Sequence, residues 1–217
     1  MPPEPGLLAR GPWDAAQVQT AWRDDTFVAG PDAEAEADAA IAALRERGSP
    51  SHDGLGARLA SYEVNGASLR LELQPARWAL RLAPDARDSM TVLCVVRGAD
   101  GRWLAGRRAD WVASWAGRWA LGAGGSVEVN EDPVTTLSRE LEEEWSVAPA
   151  RLTVEALVRL PSGLVSLIGL AHLREGAEAV PDDEHDAFAW WPADPADWPD
   201  EAHPALRAMA ALLAAGA

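Results

Sequence analysis

The stretch from Gly117 to Val147 constrains this chain more than any other. A short apolar run at 117–121 reads as a strand and leads into Gly122-Ala123-Gly124-Gly125. These small residues give a backbone that bends sharply and approaches a ligand closely. Asp132-Pro133 then supplies a helix start, with Asp as the cap and Pro at the first helical position. The helix is expected to run to about Trp145 and to stop before Pro149.

On a helix advancing about 100° per residue, Glu140, Glu143 and Glu144 fall at about 0°, 300° and 40°, so their carboxylates share one face. Glu142 points about 200° away from Glu140. Arg139 lies one turn before Glu143 and is placed to orient it. Val134, Leu137 and Leu141 form the stripe that packs inward. A Glu-rich helix is ordinarily a solvated surface. Like charges gathered on one face repel, however, and the arrangement makes physical sense around a hard divalent cation, since Mg²⁺ takes oxygen ligands and keeps some waters.

The spacing carries a resemblance. Gly125, five residues, Glu131, seven residues, Arg139-Glu140, aliphatic Leu141, one residue, Glu143-Glu144 and, three positions on, aliphatic Val147 resemble the box of the Nudix hydrolase family. The one departure is Ser146, where the family pattern has Gly. A glycine there eases a left-handed turn after the helix, so Ser costs about 1 kcal/mol locally and leaves the carboxylates untouched. The resemblance spans about residues 90–215. It implies an α/β/α sandwich built on a mixed sheet, within a Nudix hydrolase domain at 89–217, preceded by a smaller α+β extension at 1–88.

The rest of the chain suits that reading. Residues 91–97 and 102–106 form a hairpin about Ala99-Asp100-Gly101, strands follow at 152–160, 164–173 and 187–191, and a final Ala/Leu-rich helix starts near Pro204. Within the extension, Ala33, Ala37, Ala40, Ile41 and Leu44 recur at helical spacing over 31–47, short strands are expected at 70–73 and 78–82, and the polar segment 84–89 reads as a linker.

Composition narrows the partners. A net charge of −15, with all 19 basic residues Arg, disfavours long nucleic acids, which are held mainly by clustered cations. A small polyanion stays compatible if a metal neutralises it. The lone Cys94 forms no intrachain disulfide and sits in an apolar run, as a core residue does. No basic-then-apolar leader and no apolar run of spanning length occur, so we expect a cytoplasmic protein without membrane contact, monomer or homodimer.

The resemblance makes Glu140, Glu143 and Glu144 ligands of Mg²⁺, with Mn²⁺ as the alternative, and lets the Gly125 backbone complete the coordination. Arg139 takes an orienting role and Glu131 braces the loop. The implied chemistry is attack by water on a phosphorus of a diphosphate. Glu140 and Glu184 are the candidates for the base, and the neighbouring His185 is a weaker one. Arg107, Arg108 and Arg118 are placed to meet diphosphate oxygens, and Trp115, with Trp111 and Trp119 nearby, offers a ring for stacking. An extension ahead of the box is similar in organisation to Nudix enzymes acting on nucleoside-diphosphate sugars, ADP-ribose or dinucleotide cofactors, and that resemblance implies a substrate such as a UDP-sugar or ADP-ribose. The alternatives are a house-cleaning nucleoside triphosphate pyrophosphatase and a non-catalytic nucleotide-sensing module.

Overall fold

The structure is a computed structural model that describes residues 6–48, 53–83, 86–112 and 114–214. The start and end of the expected domains, and residues 84 and 85 of the expected linker, lie outside the described residues.

The elements in chain order are β1 (Gly6–Asp14), β2 (Val18–Trp22), α1 (Pro31–Glu46), β3 (Leu55–Asn65), β4 (Ser68–Arg77), β5 (Met90–Arg97), β6 (Trp103–Arg108), β7 (Trp119–Leu121), β8 (Ala123–Ser126), α2 (Pro133–Trp145), β9 (Arg151–Arg159), β10 (Val165–His172), β11 (His185–Trp191) and α3 (Pro204–Ala214). The larger sheet runs in the order β1-β9-β10-β5-β6-β11, with β7 on β6 and β8 on β5. It is mixed, because β10 runs parallel to β5 while β9 and β8 run antiparallel to their neighbours. A second sheet, β2-β4-β3, belongs to the extension.

Strand β5 shows why helices cover both faces. Met90, Val92, Cys94 and Val96 point to one side and pack in a cluster with Leu137, Leu141 and Trp145 of α2. Val95 points to the other side and packs with Leu206, Ala210 and Leu213 of α3 and with Trp103, Trp191 and Trp198. Alternation along the strand thus feeds two cores, as a sheet sandwiched between helices requires. Cys94 is fully buried and its thiol is pushed up to about 12 by burial, a packing residue without nucleophilic character.

The extension is joined to this framework at several places. β1 pairs antiparallel with β9, from Gly6 opposite Arg159 to Asp14 opposite Thr153, and so forms an edge strand of the larger sheet. Leu69, Leu71 and Leu73 of β4 lie in the same cluster as α2. Helix α1 begins at Pro31, buries Ala33, Ala37, Ile41 and Leu44, and rests on Ala79 and Leu80. Ala40, the remaining member of the expected stripe, is half-buried.

Three sequence expectations are corrected. Residues 78–82 form a 3-10 turn, because Ala79 and Leu80 are both fully buried under α1, and adjacent buried residues do not fit the two-residue period of a strand. The expected short strand at 70–73 is part of a longer hairpin, β3–β4. The glycine-rich segment bends only at Gly122, with φ at +63°, and then continues as β8 along β5. Among the described residues no helix is long and apolar enough to cross a membrane.

Candidate active site

Helix α2 begins as its sequence dictates. The Asp132 side chain accepts a hydrogen bond from Val134 N at 2.8 Å, and Pro133 takes the first helical position. The helix ends at Ser146, which adopts left-handed φ and ψ of 53° and 36° and donates its N–H to Glu142 O. That is the conformation a glycine would adopt without strain.

Glu140 and Glu144 lie one turn apart on the side of α2 that faces β8, and both are buried. The floor is made by glycine. A Cβ on Gly125 would stand 2.1 Å from Glu140 Oε1, so only glycine leaves room for the carboxylate. Gly124 N donates to Glu144 Oε1 at 3.1 Å. Burial pushes the Glu140 carboxyl up to about 7 and the Glu144 carboxyl up to about 8, against the opposing pull of Arg139 and Arg108 respectively. Glu143 differs, with its side chain 57% exposed at the edge of the face.

Arg139 ties the face together. Its Nε donates to Glu131 Oε1 at 2.8 Å and its Nη2 to Glu131 Oε2 at 3.1 Å, a bidentate pair. Its Nη1 donates to Glu143 Oε2 and lies 2.9 Å from Glu140 Oε1 as well. Glu131 Oε2 in turn accepts from Glu128 N. Burial works against the Glu131 charge, yet the hydrogen bonds from Arg139 hold its carboxyl below the usual range. The geometry thus gives Glu131 the bracing position the sequence suggests.

A second cluster meets the first from β6 and the loop before β11. Arg108 Nη2 pairs with Glu184 Oε2 at 2.7 Å, and its Nη1 lies 3.5 Å from Glu144 Oε2. His185 Nε2 lies 3.6 Å from the same Glu144 oxygen, and its Nδ1 lies 3.2 Å from Asp182 Oδ1. The His185 ring packs on Trp145 at 4.5 Å between centroids, and burial lowers its pKa, which favours the neutral imidazole. The structure therefore brings Glu184, Arg108 and Glu144 together.

The other expected contacts lie elsewhere. Arg107 is paired with Asp186 at 2.6 Å on the surface. Arg118 is exposed, and its carbonyl accepts from Arg108 N. Trp115 is exposed, with φ at 58°, and stands edge-on to His203. Trp119 packs on Trp191, and Trp111 is exposed.

A cleft of about 510 Å³ opens beside the carboxylate face, lined by Arg139 and Glu140 of α2, Ser126 at the end of β8, Val127, Glu128 and Val129 of the connecting loop, and Leu55, Gly56 and Trp78 of the extension. No signal in the sequence marked those last three. The donor set fits a hard cation, because carboxylate and backbone oxygens are its preferred ligands. Glu140 and Glu144 are buried beside the glycine floor, whereas Glu143 is largely exposed; Arg139 Nη1 lies 2.9 Å from both Glu140 and Glu143. Among the described residues no three acidic, His or Cys side chains converge tightly enough to hold an ion as they stand.

The profile of the NUDIX domain matches residues 88–213, more than half of the chain, and the chain belongs to that family. It is a pyrophosphohydrolase by that membership, and Nudix hydrolases generally use divalent metal ions. No curated protein matches the sequence. Among solved structures, the chain is similar to a MutT NUDIX hydrolase from Burkholderia pseudomallei, at 27% identity over 58% of this chain and 97% of that one, with a TM-score of 0.48. It is also similar to the NUDIX domain of Shewanella oneidensis NrtR complexed with ADP ribose, at 22% identity over 59% and 87%, TM-score 0.48. A third is a C. elegans Ap4A hydrolase, at 16% identity over 59% and 96%, TM-score 0.46.

Proposed function

We propose that the protein hydrolyses the pyrophosphate bond of a nucleoside-diphosphate-linked small molecule of the UDP-sugar or ADP-ribose kind, in a Mg²⁺-dependent reaction in which water attacks phosphorus. The observation that supports this reading is the cleft: one wall holds Arg139 and Glu140 of the box, and the other is made by Leu55, Gly56 and Trp78 of the extension.

Glu140, Glu143, Glu144 and the Gly125 backbone would hold the metal. The bound ion supplies positive charge to the phosphoryl oxygens and acidity to a water. Around it, Arg139 fixes Glu140 against displacement through its anchor on Glu131. Arg108 presents its guanidinium between Glu144 and Glu184, where it meets the diphosphate. Glu184 is the better placed of the two candidate bases, since Glu140 is committed to Arg139 and the metal, and Glu184 accepts the water proton at its carboxylate.

The test is release of phosphate or nucleotide from UDP-sugars, ADP-ribose, NADH, dinucleoside polyphosphates and deoxynucleoside triphosphates, with Mg²⁺ and with Mn²⁺, beside the Glu143→Gln, Glu144→Gln double variant. Turnover of a nucleoside-diphosphate-linked compound, lost in the variant, is expected. Preference for triphosphates overturns the substrate class. Tight binding of one compound with no turnover of any overturns the hydrolase.

A further inference from the structure

The loop that connects β8 to α2 is cross-linked to the extension at every turn. Ala57 N donates to Val127 O at 3.0 Å, which continues β3 onto the loop. Trp22 Nε1 donates to Glu131 O at 3.2 Å. Trp78 Nε1 donates to Ser126 Oγ at 3.1 Å, and the Arg81 guanidinium donates to that same hydroxyl. Arg81 also lies over the Trp78 indole, 5.3 Å from a ring centroid. A Cβ on Gly56 would stand 3.6 Å from Trp78 Cδ1, so the indole is bounded on that side by β3.

The indole is thus fixed in position by a hydrogen bond at its nitrogen and a cation against its ring, and it lines the cleft that contains Glu140. A half-buried ring held in this way loses little freedom when a planar ligand settles on it, which is the condition for strong stacking. The cleft volume lies in the range of small-molecule sites. On the same wall, Leu55 is 54% exposed and gives the cleft an apolar rim. None of Trp111, Trp115 and Trp119 lines this space.

We propose that the extension is the nucleoside-reading wall of the active site: the Trp78 indole stacks on the base of the substrate, Arg81 positions that indole against Ser126, and Leu55 forms the apolar rim. This deepens the hydrolase reading and rests on the substrate being a nucleotide. It assigns a binding role to residues outside the 88–213 match.

The experiment measures binding of AMP and of UMP to the full chain by calorimetry, and KM and kcat on the best substrate of the panel, for the wild type and for Trp78→Leu, Trp78→Phe, Arg81→Met and Leu55→Glu. Melting temperatures check the fold, and Leu55→Glu replaces an exposed side chain, so it reports even if Trp78→Leu unfolds. Expected are a loss of about tenfold in nucleotide affinity and a matching rise in KM for Trp78→Leu, with kcat within about threefold, and partial rescue by Phe, which keeps an aromatic face but not the bond to Ser126. Arg81→Met shows the same split between KM and kcat, and Leu55→Glu weakens binding by repelling the phosphate. Unchanged nucleotide affinity in Trp78→Leu and Leu55→Glu overturns the proposal, as does a wild type that binds neither nucleotide. The hydrolase reading fails on a different result, the absence of metal-dependent turnover by the wild type.

Discussion

Gly125 lies directly beneath Glu140, so close that a Cβ at position 125 would stand 2.1 Å from Glu140 Oε1 and 2.3 Å from its Cδ. The obstacle is the tip of a flexible side chain, and Gly125 has no left-handed φ, so an added methyl displaces the carboxylate and leaves the backbone in place. Gly125→Ala is therefore expected to lower kcat by about 100-fold through misplacement of a metal ligand, with the melting temperature within a few degrees of wild type. Gly122→Ala is the contrast. There φ is +63° and the Cβ would meet the Cys94 carbonyl, so the loss appears in stability. Steady-state kinetics beside a thermal melt separates the two; equal loss of stability in both variants refutes the distinction.

The buried pair Glu140 and Glu144 makes the metal-free fold sensitive to base. Each carboxyl is raised above its ordinary value of 4.5, to about 7 and about 8. A raised folded-state pKa stabilises fully below the unfolded value, and that contribution is lost as pH rises through the folded value. The metal-free protein should thus melt at a lower temperature at pH 8.5 than at pH 6, as two like charges are forced into a desolvated site. Mg²⁺ should reverse the difference by binding the ionised pair, and Glu144→Gln should flatten it. A melting temperature that rises steadily over this range without metal contradicts the assignment.

Ser146 stands in left-handed backbone where the family pattern has Gly, and its side chain points to solvent. Replacing it with Gly removes the steric cost of that conformation, worth about 1 kcal/mol. Ser146→Gly is expected to raise the melting temperature by about 2–4 °C for a chain of this size, with kcat and KM unaltered. A lowered melting temperature shows that Ser146 contributes an interaction beyond its conformation.

How much of this was legible in sequence follows from where each signal resides. The box lies within one local stretch, and helical periodicity alone places Glu140 and Glu144 on one face, so the centre of the site was readable. The same periodicity pairs Arg139 with Glu143, as the structure does, but does not show how exposed Glu143 is. Strand β1 was not readable, because Gly11-Pro12 interrupts its apolar pattern and its reason for being extended is β9, far along the chain. Trp78 is 48 residues from Ser126, and nothing local marks an indole as part of a cleft. Local propensity likewise misread 78–82, where packing under α1 decided the conformation.

Glu184 and Glu140 compete for the role of base, and the geometry separates their tests. Glu184 sits on the loop before β11, is paired with Arg108, and does not line the glycine floor. Loss of its charge should leave the metal pair intact. Glu184→Gln is expected to lower kcat by about 100-fold, the low end of what a positioned base contributes, with Mg²⁺ affinity within about threefold of wild type. Glu140→Gln should instead weaken Mg²⁺ binding directly. Calorimetric metal titration beside single-turnover kinetics distinguishes them. If Glu184→Gln retains its rate while Glu140→Gln binds metal normally and loses turnover, the proton goes to Glu140, and Glu184 serves only to hold Arg108 beside Glu144.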